Sequence, residues 1–557
     1  MKNRLKTRLL WLLLMQTCFA ISFPLHSLSF DDQGDIVELA YHLTMAMTDE
    51  QALAQTFMLG WVGAEPSPLI MDWIRTRNIG GVKIFGWNTE DTRRLAETVG
   101  ELQKNALAVG FGIPLIVATD QEGGLVRHVK GATSETPGNM AIGASGRPID
   151  AYWSGYYIGR ELSLLGINMN FAPTVDLYTN LESTLIGPRS FGSDPVQAGI
   201  LGAAFAKGTR DTGVIPTAKH YPGHGDTDLD SHGVLPKIDV PFDLLWEREL
   251  LPFRLLVKEN IPAVMSGHIA FPNTQSGGAP ASLSSWLLTD ILRQKMAYRG
   301  LVITDDLMMN GATQYAGSLS RAAKQALIAG NDIIMLSSTP NLNDVVWTFL
   351  LSSMKEEPEF RWRVLDACRR VLVMKLEYLR GEKKVPYIPD LKKVDDGLTD
   401  PDGAAFFMDL AARSATLVNE KNVLPLSPEN AGRVLLAGDY NEFFSAGRRA
   451  FPNAVSFWYS SYQATTELVA QARNADTVIF CLSDKAGTRA IEQLRALNKR
   501  IIVFSVLSPA YLADVTWTDA AVAVYSYAPE SFIAGFSAIL GRIPGEGRFP
   551  FTLNGHS

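Results

Sequence analysis

The chain is predicted to be an α/β protein, a TIM-type (β/α)8 barrel followed by a smaller α/β sandwich domain. Three observations lead there. Its 557 residues exceed what one ordinary core organises. Between about residues 40 and 380, eight short apolar runs rich in Val and Ile alternate with longer segments of helical period. A second alternating block follows a stretch of turn and breaker residues.

The first 29 residues stand apart. Lys2, Arg4, Lys6 and Arg8 precede the apolar run from Leu9 to Met15. A charged segment before a short apolar one reads as an export signal. The run is shorter than the roughly 20 residues a membrane span requires. No stable span is therefore expected after cleavage, and the protein is expected to be exported. Met15-Gln16-Thr17 before Cys18 fits a lipid-attachment site poorly, which leaves that reading secondary.

The barrel is expected over residues 30–380. Its strands are read at 57–62, 81–85, 114–119, 168–173, 215–220, 263–268, 301–305 and 332–336, with helical stretches such as 92–108, 150–165 and 196–212 between them. Eight such units favour a closed barrel, and an open doubly wound sheet is the alternative. Residues 381–403 read as a linker, with Pro386, Pro389 and Asp400-Pro401-Asp402-Gly403. In 404–557, five strands are read at 433–438, 455–459, 477–482, 501–506 and 521–525. The first is followed by a single glycine, Gly438, rather than a glycine-rich loop, so no nucleotide site is assigned.

Composition narrows function by class. The chain is 46% hydrophobic and 20% charged, with a formal net charge of -7 and no basic block, so no nucleic-acid partner is expected. Apart from Cys18 there are only Cys368 and Cys481, one in each expected domain, which makes no disulfide framework.

Chemistry concentrates at strand ends. Asp120 follows the third strand, Lys219 and His220 end the fifth, His268 the sixth and Asp305 the seventh. One such residue is an ordinary cap. Four ends with ionisable groups point to a shared mouth, where a barrel keeps its active site. The densest stretch runs from Lys219 to His232, with His220, His224, Asp226, Asp228 and Asp230 between them. Asp226, Asp228 and Asp230 have calcium-loop spacing, but Ser231 and Lys237 stand where that loop needs glycine and glutamate. A zinc site drawing on His220, His224 and His232 stays open on composition alone. Asp230, two residues before His232, can accept a ring N–H and make the pair a general acid/base centre. Asp305, closing the run Gly300-Leu301-Val302-Ile303, is the candidate nucleophile, and Asp306 is read as a cap.

The segment matches K-H-[FY]-P-G-H-G-x-T-x-x-D-S-H almost completely. It resembles the β-N-acetylglucosaminidases of glycoside hydrolase family 3. Asp120-Gln121-Glu122-Gly123-Gly124, Asn170-Phe171-Ala172-Pro173, Gly187-Pro188-Arg189-Ser190-Phe191, Ser266-Gly267-His268 and Thr304-Asp305-Asp306-Leu307 carry the same resemblance in family order. Gly547-Arg548-Phe549-Pro550-Phe551 resembles the end of the second domain in two-domain members. The resemblance implies a retaining hydrolase of terminal β-linked N-acetylglucosamine, with Asp305 as nucleophile and His232, oriented by Asp230, as acid/base. Asp120, Arg189, Lys219 and His220 would hold the sugar, while His224 and Asp226 would shape the loop. His268 is read equally as structural or as a ligand contact. No metal or cofactor is implied. The substrate would be a small carbohydrate or muropeptide, and oligomeric state is open. A β-glucosidase or phosphorylase of the same family, and a non-catalytic cell-wall-binding protein, are the alternatives. The chain departs from the pattern twice: His128 stands where relatives carry a sugar-contacting arginine, and Trp87 where many have another arginine.

Overall fold

A computed structural model of the chain describes residues 28–227, 233–459 and 465–553. Residues 1–27 of the expected signal segment, and Asp230 and His232, lie outside the described residues.

Eight strands close into a barrel: β1 (Phe57–Gly60), β2 (Gly81–Ile84), β3 (Ile116–Thr119), β4 (Met169–Asn170), β5 (Ile215–Tyr221), β6 (Ala263–Ser266), β7 (Leu301–Asp306) and β8 (Ile333–Leu336). Neighbours pair in parallel around the ring, and β8 returns to β1 with Ile334 opposite Phe57. Each strand falls on a predicted run, and closure excludes the open doubly wound sheet. The runs were legible because a parallel strand under helices is apolar on both faces.

Inside each strand, alternation divides the side chains. Met58, Ile116, Ala118, Met169, Ile215, Ala263, Met265, Leu301, Ile303, Ile333 and Met335 fill the barrel interior, with Val371, Met374 and Leu379 packed among them. Leu59, Val82, Ile84, Val117, Val264, Val302 and Ile334 face the other way and join the cluster shared with the helices. Because successive residues point to opposite faces, this settles the regular part of each strand. Leu301 and Ile303 point inward, and past them β7 bulges against β8; Asp305 lies where His220, His268 and Lys219 act on its charge, while Asp306 receives the Met308 and Ser337 N–H groups. Val82 and Ile84 point outward, so Lys83 points into the barrel.

The helices start where short polar residues cap them. Asp91 accepts from the Arg94 N–H at the head of Thr92–Leu107, and Asp194 caps Pro195–Asp211, whose proline occupies the first turn. The segment 381–403 is more regular than the linker reading implied. Leu391–Gly397 is a short helix capped by Asp390, and Asp400 caps Pro401–Ser414 through the Asp402 and Gly403 N–H groups. An Asp-Pro pair serves a helix start as well as a turn.

The second unit is a six-stranded sheet: β9 (Thr416–Val418), β10 (Val434–Gly438), β11 (Val455–Trp458), β12 (Thr477–Leu482), β13 (Arg500–Ser505) and β14 (Ala520–Ala523), in the order β9-β14-β13-β12-β10-β11. The five predicted strands are parallel. The sixth, β9, is a three-residue edge strand antiparallel to β14, too short to show a period. Apolar clusters cover both faces of the sheet. The unit docks on the barrel through its last residues. Phe551 packs edge-on against Tyr178 at 5.1 Å, the Arg548 N–H donates to the Ala144 carbonyl, and Pro550 accepts from the Ser193 N–H. Among the described residues no helix is long and apolar enough to cross a membrane.

Candidate active site

The ends of β2, β3, β5 and β7 converge at the C-terminal face of the barrel. Asp120 follows β3 directly. A buried amide pair fixes its peptide: Gln121 N–H donates to Asn170 Oδ1 and Asn170 Nδ2 returns a bond to the Gln121 carbonyl, at 3.0 and 2.9 Å. The chain then turns back as a hairpin, Gln121–Gly123 against Val126–Arg127. Gly124 is required in that turn. Its φ is +60°, and a Cβ there would lie 2.9 Å from the Gly138 Cα.

Charges of both signs interlock around Asp120. Lys219 Nζ lies 2.5 Å from Asp120 Oδ1 and 2.6 Å from Glu122 Oε1. Glu122 receives Arg189 as a two-pronged fork, at 3.0 and 2.7 Å. Lys83 Nζ lies 2.6 Å from the other Asp120 oxygen. Lys83, Lys219 and Glu122 are buried, whereas Asp120 and Arg189 keep some exposure toward the mouth. Burial alone would raise the Asp120 and Glu122 pKa values. The cations outweigh it, holding Asp120 well below its usual range and Glu122 down to about 2.

These shifts carry a stability prediction. Unfolded Glu122 takes up its proton near 4.5 and folded Glu122 near 2, so its contribution is complete above about pH 5 and is lost as pH falls between those values. Glu122→Gln leaves Arg189 and Lys219 short of a buried counter-charge, at a cost of about 3–5 kcal/mol. Urea unfolding should show that deficit at neutral pH and a shrinking one toward pH 2. An equal deficit at both ends would contradict the assignment.

His220, on β5, is oriented by Asp176. Its Nδ1 lies 2.6 Å from Asp176 Oδ2, and its backbone N–H and that of His224 donate to the same carboxylate. That network assigns the proton to Nδ1 and leaves the Nε2 lone pair facing Arg189 Nη2 at 3.5 Å. A guanidinium in that place suits a sugar-facing imidazole better than a metal ligand. Among the described residues no three metal-ligating side chains converge. The buried His224 ring has its pKa pushed down to about 4, first by desolvation.

The following loop is tied at its base. Asp226 accepts from Thr179 Oγ1 at 3.1 Å and from Arg248 Nη2 at 2.5 Å. A Cβ on Gly225 would lie 1.5 Å from the Leu177 carbonyl oxygen, so only glycine passes there.

Across the ring, the Asp305 carboxylate accepts the Asp306 N–H through Oδ1 at 2.8 Å. Burial would raise its pKa, but His220 and His268, the Asp306 N–H and the Lys219 ammonium together outweigh this and hold it below the ordinary value. Asp306 receives the Met308 and Ser337 N–H groups. It caps the turn that follows β7 and the first residue after β8, rather than a helix. His268 is structural: Nδ1 meets Ser282 Oγ at 2.7 Å and Nε2 meets the Asp306 carbonyl at 2.9 Å, in full burial.

The structure therefore brings together Asp120, Arg189, Lys219, His220 and Asp305. The expected partners Asp230 and His232 lie outside the described residues. Sequence reading passed over three members of the cluster: Glu122, Asp176 and Lys83. For Lys83 a signal existed, since a cation inside the apolar run Gly81-Val82-Lys83-Ile84-Phe85 demands a buried counter-charge.

Known proteins share this arrangement of sequence and fold. The profile of the glycosyl hydrolase family 3 N terminal domain matches residues 49–373, more than half of the chain. The beta-hexosaminidase A of Pseudoalteromonas piscicida is 36% identical over 285 residues, 48% of this chain and 47% of that relative, so the chain spans about half its length. A beta-hexosaminidase of Nitrosomonas eutropha is 29% identical over 323 residues, 57% of this chain and 86% of the relative. Among solved structures, a glycoside hydrolase family 3 beta-N-acetylglucosaminidase from a Paenibacillus species superposes with a TM-score of 0.83 at 27% identity, over 92% of this chain and 100% of that one.

Proposed function

The chain belongs to glycosyl hydrolase family 3, and from that premise we propose that it is an exported retaining β-N-acetylglucosaminidase that removes the terminal non-reducing sugar from small carbohydrate or muropeptide substrates. One observation carries the reading. Asp305 on β7 lies across the barrel mouth from Asp120 at the end of β3, with Lys219 on β5 between them and Lys219 and Asp120 paired at 2.5 Å. A sugar between them has its anomeric carbon at Asp305 and its hydroxyls among groups that both donate and accept.

In this mechanism Asp305 attacks the anomeric carbon and forms a glycosyl-enzyme bond. His232, oriented by Asp230, gives its proton to the departing oxygen, then takes one from the water that cleaves the intermediate. Two inversions give net retention. The depressed pKa of Asp305 keeps the nucleophile ionised. Arg189 donates to hydroxyl or acetamido oxygens, and the His220 Nε2 lone pair accepts from a hydroxyl. The preference for N-acetylglucosamine rests on the names of the relatives, and peptidoglycan fragments or chito-oligosaccharides are the aglycone sources it fits. We assign catalysis to residues 30–380, joined by 381–403 to the second unit at 404–557, with 1–29 as the export signal.

A panel of aryl β-glycosides tests the reading, with His232→Ala beside the wild type. The N-acetylglucosaminide should be cleaved fastest, in buffer without phosphate and without added metal. Faster cleavage of the glucoside would assign a β-glucosidase, a strict need for phosphate would assign a phosphorylase, and binding without turnover a sugar-binding protein. Each of these would overturn the proposal.

A further inference from the structure

We propose that Lys83 is a positioning residue for the substrate: from inside the barrel it holds the Asp120 carboxylate in its sugar-receiving orientation, with His128 beside it as an acceptor rather than as a second cation. The proposal rests on the reading of Asp120 as a ligand of the terminal sugar.

Lys83 is the inward residue of β2, between outward Val82 and Ile84. Its side chain is 1% exposed. All three ammonium protons have partners: Asp120 Oδ2 at 2.6 Å, the Ile84 carbonyl at 2.9 Å and His128 Nδ1 at 3.2 Å. The ammonium also lies 4.4 Å from the Phe85 ring centroid. Asp120 thus takes one lysine on each oxygen, Lys219 on Oδ1 and Lys83 on Oδ2. With both oxygens pinned, the carboxylate plane is fixed, and the 17% exposed side chain keeps lone pairs for a ligand.

The neighbours fit this division of labour. His128 Nδ1 faces an ammonium, so it must offer a lone pair and carry its proton on Nε2. Burial first, then Lys83, pushes the His128 pKa down to about 4, which keeps the ring neutral. Trp87 stacks on Phe85 at 4.5 Å and donates its indole N–H to the Trp61 carbonyl. Residues 87 and 128 are the two positions where the sequence departs from the pattern it resembles, and both have lost an expected cation. Lys83 supplies one from the next strand. A guanidinium at position 128 beside Lys83 would crowd a third cation onto one carboxylate, so Lys83 and His128 depend on each other.

The test uses full-length wild type, Lys83→Met, His128→Arg and the double variant, each checked for fold by circular dichroism and assayed on aryl N-acetyl-β-glucosaminide. Lys83→Met should raise KM about tenfold or more, with a smaller change in kcat. His128→Arg alone should also raise KM, and the double variant should recover to within about threefold of wild type. A folded Lys83→Met with wild-type KM, or a double variant no better than Lys83→Met, overturns the proposal. If Lys83→Met does not fold, His128→Arg decides, and a wild-type KM there overturns it. Wild type that neither cleaves the glycoside nor binds N-acetylglucosamine in calorimetry overturns the sugar-pocket reading and this proposal with it. Turnover by wild type with no response to Lys83→Met overturns this proposal alone.

Discussion

Asp305→Asn should abolish turnover, lowering kcat by ~10^4-fold or more, as removal of a covalent nucleophile does. The loss would be chemical rather than structural. The amide carbonyl of asparagine can still accept the Asp306 N–H that Asp305 Oδ1 now receives at 2.8 Å. It cannot attack an anomeric carbon. Asp306→Asn is the matching control. Asp306 caps backbone N–H groups of Met308 and Ser337, so this change should lower thermal stability slightly and leave kcat within about threefold. Steady-state rates for the two variants separate these roles. Full activity in Asp305→Asn, or equal losses in both, would remove Asp305 from the chemistry.

His232→Ala should show a loss that depends on the leaving group. A general acid contributes roughly 10^2–10^4-fold, and only where the departing oxygen needs a proton. With an unactivated aglycone the variant should fall by that amount. With a dinitrophenyl leaving group the first step should be nearly unaffected, and the second, which needs a base, becomes limiting. The pH profile follows from the same roles. Asp305 must be ionised, and its pKa is held below the ordinary carboxylate value, so kcat/KM should persist as pH falls through the usual carboxylate range. The acid must keep its proton, so kcat/KM should fall as pH rises, and that alkaline limb should vanish in His232→Ala. An alkaline limb unchanged in the variant would assign the proton to another group.

The order of strands and the placing of chemistry at their ends were open to sequence reading. Buried parallel strands are apolar on both faces, which marks them as runs. The same property hides which side chains point inward. Nothing in Gly81-Val82-Lys83-Ile84-Phe85 tells which face Lys83 takes until Val82 and Ile84 are seen packed under helices. The contacts within the site also join residues far apart in the chain. Asp120 meets Lys219 across 99 residues, and Asp176 meets His220 across 44. Glu122 lay inside a recognised motif, yet its role as counter-charge to Arg189 and Lys219 is visible only in three dimensions. His268 was undecided between two roles because its partners, Ser282 and the Asp306 carbonyl, come from other loops. Asp400 reads as part of a turn in the sequence because a capping aspartate and a turn aspartate look alike in one dimension.

The central claim is a covalent bond between Asp305 and the sugar. The direct measurement is mass spectrometry of His232→Ala mixed rapidly with dinitrophenyl N-acetyl-β-glucosaminide and quenched. If the account holds, the protein gains the mass of one N-acetylhexosaminyl residue, and peptide mapping locates it on Asp305. A sugar attached to another carboxylate, or turnover with inversion at the anomeric carbon and no adduct, would contradict it.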